Sequence, residues 1–234
     1  MNEDVLQEVS LVSVIIPTLN EQENLACLLP HLTACNRLEI IVVDGGSTDG
    51  TVTMAKQYGV QCLETSPGRG WQMNAGAAQA SGSIFLFLHA DSKVPDGLFN
   101  AVREVIAGGY IGGCCLLKFN EQSILLKIIA WGSNVRAQFL KSFYGDQGIF
   151  VRGDVFTRLG GFKKLPLMED AEFSRRLTRM GAVTVVRQTI TTSARRFNKG
   201  GIMKTLLKMQ LLKIMFYLGF SRTVLKKLYE GWQR

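Results

Sequence analysis

Glu39-Ile40-Ile41-Val42-Val43-Asp44-Gly45-Gly46-Ser47-Thr48-Asp49-Gly50 decides the fold. Glu39 to Val43 reads as a β-strand, the glycines as a tight turn, and about Thr51 to Tyr58 as a helix closed by Gly59. Asp49 or Thr48 is placed to cap that helix. The same strand–turn–helix unit recurs on both sides. Upstream, Val12 to Ile16 is a short β-branched run ended by Pro17. Asn20 to Thr33 then reads as a helix with Leu25, Leu28, Leu29 and Leu32 on one face and Asn20 as N-cap. Downstream come a third strand from Val60 to Leu63, a small-residue helix from Gln72 to Ala80, and Ile84 to Leu88, an apolar run suited to a strand buried on both faces. The alternation predicts an α/β fold, an open and mostly parallel sheet with helices on both faces.

The second half is less regular. It offers a helix near Ser123 to Leu140, a short strand from Gly148 to Val151, a helix from Glu169 to Met180, and two terminal helices. These last cover about 201–218 and 222–231, with Ser221 as a cap between them. Residues 1–200 are expected to form the main domain and 201–234 a basic helical appendage. Hydrophobic residues make up 47% and charged residues 20%, as suits a globular chain of this length. Five cysteines without a CxxC pair, and only two histidines, exclude a multi-His zinc site and point to reduced thiols in the cytoplasm. The acidic, polar start does not look like a secretory signal, and no run reaches the roughly 20 apolar residues of a membrane span.

The net charge of +8 is concentrated at one end. Residues 195–234 hold ten Lys and Arg against Glu230 alone, and the rest of the chain is nearly neutral. That asymmetry points to an anionic partner, and with no nucleic-acid motif in view, none to nucleic acid. In a helix over 201–218, Lys204 and Lys208 share one side and Ile202, Leu206, Met209 and Phe216 the other. Leu211 and Met215 share the lysine side and Lys213 lies opposite Lys204, so the helix is not cleanly two-sided. Either the helix packs on the domain with its lysines in water, or it touches an anionic membrane surface, helped by Phe216, Tyr217 and Trp232.

Ligands of open α/β sheets bind beyond the carboxyl ends of the strands. That rule selects Pro17-Thr18-Leu19-Asn20-Glu21, Asp44-Gly45-Gly46-Ser47 and His89-Ala90-Asp91. Glycines let backbone approach a ligand, though a capped turn with nothing bound fits equally. Asp91 is a strand-end carboxylate of the kind that holds Mg²⁺ together with phosphate oxygens, or else it caps its loop. Glu169-Asp170 opens a helix, where the dipole favours acids, and a carboxylate there could also accept a proton from a hydroxyl. Arg195-Arg196 suits a phosphate clamp or a solvated basic surface.

In their order along the chain these segments resemble family 2 glycosyltransferases with the GT-A fold. The resemblance runs over about residues 11–197. It is carried by Val14-Ile15-Ile16-Pro17-Thr18-Leu19-Asn20-Glu21, Val42 to Thr51, Gly68-Arg69-Gly70 with Asn74-Ala75-Gly76, Phe87-Leu88-His89-Ala90-Asp91, and Glu169-Asp170. Gly145 to Arg152, Pro166 to Asp170 and Thr192 to Arg196 are similar to the small transferases associated with arsenosugar biosynthesis, also called selenodomain-associated transferase 2.

The resemblance implies an inverting, metal-dependent hexosyl transfer from a UDP- or GDP-sugar to an acceptor hydroxyl on a small molecule or a lipid. Pro17, Thr18, Asn20, Glu21, Asp44, Gly46, Ser47, Arg69, Asn74, Ala90, Asp91, Arg195 and Arg196 are the donor-binding residues it implies. It further implies Asp146 and Gln147 on the acceptor side, Asp170 as base with Glu169 beside it, and Mg²⁺ or Mn²⁺ at Asp91, with His89 as a second candidate ligand. Two positions depart from the family pattern. His89 stands in place of the first Asp of the DxD metal motif, and Leu19 where relatives carry an aromatic residue. A nucleotidyltransferase, a polyprenyl-phosphate glycosyltransferase and a non-catalytic nucleotide-binding module are the rival readings.

Overall fold

Alternation within the first strand sets up two layers. In β1 (Val12–Thr18), Val12, Val14 and Ile16 enter one apolar cluster and Ile15 enters a second on the opposite face. The computed structural model describes residues 10–231. Six further strands complete one sheet: β2 (Leu38–Asp44), β3 (Gln61–Glu64), β4 (Ile84–Phe87), β5 (Gly112–Phe119), β6 (Ile149–Arg152) and β7 (Val183–Thr192). Their order is β3-β2-β1-β4-β6-β5-β7. β3, β2, β1 and β4 run parallel, β6 is antiparallel to both its neighbours, and β7 returns parallel to β5. The sheet is open and mostly parallel, as the alternation predicts.

One face is covered by α1 (Gln22–Thr33), α2 (Thr51–Gln57) and α4 (Leu98–Ala107). The other is covered by α3 (Arg69–Gln79), α5 (Ile124–Leu140), α6 (Gly153–Arg158) and α7 (Glu169–Met180). Gly76 lets α3 lie close to the sheet, since a Cβ there would sit 2.5 Å from an Ile15 methyl and 2.9 Å from a Val43 methyl. Phe87, Phe156, Phe162 and Phe173 form an aromatic block with ring centroids 4.4–5.7 Å apart. Truncating one of these rings to Ala typically costs about 3–5 kcal/mol, so the block holds α7 firmly against β4.

Several boundaries differ from the sequence reading. Pro17 does not end β1; it pairs with Val43 beyond the last β4 partner of β1, where a missing N–H is tolerated. Asn20 does not cap α1. It takes a left-handed conformation (φ +54°), and its Oδ1 accepts the Thr48 N–H at 2.8 Å. α3 begins at Arg69 rather than Gln72, and α4, β5, β7 and α6 are additional elements. Gly112 and Gly113 disguise β5, and they are needed there. A Cβ on Gly113 would lie 1.9 Å from the Thr184 carbonyl oxygen.

After β7 come α8 (Arg195–Gly200), α9 (Ile202–Tyr217) and α10 (Arg222–Gly231). Leu212 of α9 and Leu225 of α10 are buried with Leu167, and Met168 packs against the same cluster. Ile202 and Met209 pack against Leu126, Ala194 and Phe197. The Ser221 hydroxyl accepts the Val224 N–H at 3.4 Å, a cap for α10. Among the described residues no helix is long and apolar enough to cross a membrane. Trp232 lies outside the described residues. All five cysteines are free thiols.

Candidate active site

The carboxyl ends of β1, β2 and β4 lie side by side in the sheet, and the loops beyond them form a floor held by a hydrogen-bonded lattice. Asp44 ends β2 at 1% exposure. Its carboxylate accepts the Gly46 and Ser47 N–H groups at 2.9 and 2.7 Å, the Thr18 hydroxyl at 3.2 Å and the Ser47 hydroxyl. Four bonds saturate a carboxylate, so Asp44 shapes the loop around Ser47. Asn20 N–H donates to Ser47 Oγ at 2.8 Å, and Glu21 N–H to Thr51 Oγ1 at 2.9 Å, which ties the β1 loop to the β2 loop. Asp49 caps α2 through the Thr51 N–H at 3.0 Å.

Glu21 Oε1 pairs with Arg195 at 3.2 Å, which brings the second half of the chain over the first. Asp91, just beyond β4, is partly buried; that burial and the nearby Glu21 push its carboxyl above the usual range, against the pull of Arg195. Arg196 lies with its guanidinium carbon 5.7 Å from the Tyr229 ring centroid. Pro17 and Ala90 are buried parts of the strand ends, and Gly46 is exposed at the turn.

Opposite this floor stands the start of α7. Met168 precedes it in a left-handed conformation (φ +63°), which costs a non-glycine residue about 1–3 kcal/mol. Glu169, 2% exposed, pairs with Arg69 Nε at 3.0 Å. Burial outweighs the arginine and raises the Glu169 carboxyl, with Asp170 adding to the effect. Asp170 Oδ2 accepts the Gly145 N–H at 2.8 Å and Oδ1 its neighbour's N–H, on Ala171, at 2.7 Å. Each oxygen keeps a lone pair for a further donor.

His89 reaches the same point from β4. A Cβ on Gly145 would sit 2.8 Å from His89 Nε2 and 3.5 Å from Asp170 Oδ2, so only glycine lets the three meet. Burial, with Arg69 and Arg196 nearby, holds the imidazole pKa down at about 3, and the ring is neutral.

A matching family model covers residues 13–157, more than half of the chain, and is described as glycosyl transferase family 2. The chain belongs to that family. Over 87 residues the chain is 38% identical to an uncharacterized glycosyltransferase of Mycobacterium tuberculosis. That match covers 37% of this chain and 39% of the relative, so the chain spans about two fifths of its length. A PGL/p-HBAD biosynthesis glycosyltransferase of Mycobacterium tuberculosis is 28% identical over 218 residues, 87% of this chain and 83% of that protein.

Among solved structures, the mannosyltransferase PcManGT of Pyrobaculum calidifontis, in complex with GDP-Man and Mn²⁺, superposes with a TM-score of 0.63 at 20% identity. The match covers 96% of this chain and 74% of that one. TarS of S. aureus (1–349) gives 0.61 at 19% identity, over 79% and 61% of the two chains. The fold of the transferase is GT-A-like.

Asn74 and Gln147, expected at the ligands, and Glu169, expected beside Asp170, have their polar groups occupied by the protein itself. Asn74 pairs both ways with the Phe162 peptide, at 2.7 and 2.8 Å, and so holds the loop before α7. Gln147 is fully buried and accepts from Arg136 at 2.7 Å. Glu169 faces Arg69 rather than an open space. Asp146 is different: its Oδ1 is buried without a hydrogen-bond partner, and burial and the nearby Asp170 raise its carboxyl, against Arg136. A buried polar oxygen without a partner is uncommon in a folded protein.

Sequence reading missed Gln72, whose amide donates at 2.8 Å to the carbonyls of both Thr18 and Val43 and so locks two strand ends together. A polar residue at a buried helix position was the available signal. It also missed the cluster around Tyr144, with Arg136 3.7 Å and Lys213 4.6 Å from its ring centroid. Burial lowers the Lys213 ammonium to a pKa of about 8, with Arg136 adding to the effect and Asp146 and Asp170 opposing it.

For a divalent cation, the described residues offer no group of three or more His, Cys, Asp and Glu side chains. The donor set fits a hard cation that takes one protein carboxylate, Asp91, and fills its shell from phosphate oxygens and water. Neutral His89 is a poorer partner for a hard cation.

Proposed function

We propose that the enzyme transfers a hexosyl group with inversion from a nucleoside diphosphate sugar, a UDP- or GDP-sugar, to an acceptor hydroxyl. One observation carries the reading: the Gly145–Asp170 bond and the Arg69–Glu169 pair bring the acids of α7 onto the carboxyl ends of β1, β2 and β4. A carboxylate with free lone pairs is then set beside the strand-end loops and Arg195, which Glu21 ties to them. The nucleoside lies along the loop of Thr18, Asn20, Glu21 and Ser47, and the diphosphate beside Asp91, Arg69, Arg195 and Arg196. Asp91 would hold Mg²⁺ or Mn²⁺, which supplies positive charge to the departing diphosphate. Arg69 and Arg195 add fixed positive charge on the same side.

Asp170 takes the proton of the acceptor hydroxyl as its oxygen attacks the anomeric carbon from the face away from the diphosphate, giving a single inverting displacement. Asp146 accepts a hydrogen bond from that acceptor. Glu169 acts through Arg69, whose side chain it fixes. The segments Gly145 to Arg152, Pro166 to Asp170 and Thr192 to Arg196 support placement beside the arsenosugar-associated transferases.

The test is a screen of UDP- and GDP-sugars with and without Mn²⁺, reading donor affinity and the released nucleotide. Nucleoside diphosphate is expected; pyrophosphate would make the protein a nucleotidyltransferase. Asp91→Ala should lose the metal response of donor binding. Unchanged affinity and unchanged metal response in that variant would refute the assignment of Asp91.

A further inference from the structure

Two helices of this protein are apolar on both sides. In α5, Leu126, Ala130 and Ala137 are buried, while Ile124, Ile128, Trp131 and Phe139 on the opposite side are 74%, 57%, 68% and 77% exposed. In α9, Thr205 and Leu212 are buried, and Met203, Leu207, Leu211, Ile214 and Leu218, the last just past its end, are exposed on the opposite side. A globular helix keeps one apolar stripe for the core and turns polar residues outward. These two turn a second apolar stripe outward.

The helices are neighbours. Leu126 and Ile129 of α5 share a cluster with Ile202 and Met209 of α9, and Arg136 and Lys213 lie against the same Tyr144 ring. Their outer stripes therefore form one face. An exposed apolar face of this kind marks a contact surface.

Its charge says what it contacts. From residue 122 to 145 the chain has no acid, and it has Lys127, Arg136 and Lys141; α9 has no acid, and it has Lys204, Lys208 and Lys213. α8 before it adds Arg195, Arg196 and Lys199. Two copies of this chain meeting face to face would set like charges against each other. An apolar stripe with Trp131, bordered mainly by cations, with Glu121 the acid just before α5 and bonded to Asn198, instead complements the acyl boundary and headgroups of an anionic leaflet.

We propose that the α5–α9 face lies flat on an anionic lipid surface. α9, with 16 residues, is about 24 Å long, enough to lie in the interface along its whole length. Tyr144, flanked by Arg136 and Lys213, joins this face to Gly145 and hence to Asp170. Asp170 is thus linked to this face through two consecutive residues, and the acceptor hydroxyl is carried on a lipid. That last step rests on the transferase reading above; the docking does not.

Co-sedimentation of the full chain with phosphatidylcholine vesicles, with and without about 30 mol % phosphatidylglycerol, tests it. Partitioning should be at least about tenfold greater onto the anionic vesicles and should fall on raising salt from about 0.05 to 0.5 M. Ile128→Asp combined with Leu207→Asp should reduce it at least about tenfold, with donor affinity in solution unchanged as the control for folding. No binding to anionic vesicles at low salt would overturn the proposal. So would binding by the double variant equal to wild type, or a solution dimer that the variant dissociates without any change in vesicle binding. Vesicle binding with no turnover of any donor would instead count against the transferase reading alone.

Discussion

Asp170→Asn removes the proposed base and, with it, one backbone contact. The carboxylate accepts the Gly145 N–H at 2.8 Å through one oxygen and the Ala171 N–H at 2.7 Å through the other. An amide has a single acceptor oxygen, so its NH₂ must face one of those N–H groups. One partly buried donor is left unpaired, at about 1–3 kcal/mol. In a chain of this size each kcal/mol lowers Tm by about 2–4 °C. The effect on rate is separate and larger. Losing a general base lowers kcat by about 10²- to 10⁴-fold while donor affinity stays near wild type.

Calorimetry gives donor affinity, nucleotide release gives kcat, and a thermal melt gives Tm. Asp170→Ala is the control, because it loses both backbone bonds and should melt lower than Asn without reacting much more slowly. A near-normal kcat in Asp170→Asn, or a kcat that follows Tm through both variants, would show that this residue only caps the helix.

Arg69→Met strands Glu169 at 2% exposure and should lower stability by about 1–3 kcal/mol. Adding Glu169→Gln should recover most of that in a urea double-mutant cycle, and additive losses would refute the pairing. Gly145→Ala puts a methyl 2.8 Å from His89 Nε2; kcat should fall more than donor affinity, and His89→Ala in the same chain should restore part of it. His89 is held at about 3 when folded, whereas a free imidazole titrates near about 6.5. Between those values the unfolded chain binds the extra proton, so this contribution to stability is complete above about pH 6.5 and is lost as pH falls towards 3. His89→Gln should flatten the dependence of Tm on pH in that interval, and an unchanged slope would refute the assignment.

The parallel half of the fold was legible because β1 and β2 are rich in β-branched residues and β4 is continuously apolar. The run from Glu39 to Gly50 reads the same in sequence and in space. β5 was hidden because its glycines and cysteines carry little strand preference and its reason lies in a partner, the Thr184 carbonyl. The floor residues were legible from the strand-end rule. Their division of labour was not: Asn74 and Gln147 look like ligand contacts until Phe162 and Arg136 are seen to occupy them. Lys213 near Tyr144 joins residues 69 positions apart, and no local pattern predicts such a meeting. Of the two readings of the tail, α9 does pack on the domain, and its outward side is apolar as well as basic, as Leu211 on the lysine side implies.

Met168 gives the protein an order of assembly. A ribosome releases the chain from its N-terminus, and domains begin to fold as they emerge. The loops after β1, β2 and β4 are complete once residue 91 is out. The left-handed turn that aims Asp170 is not, because the side chains packed around it come from Leu212 and Leu225. A chain halted before residue 212 would carry the proposed donor floor with an unsupported base. The turn that aims the proposed base is therefore braced only once the last two helices are made.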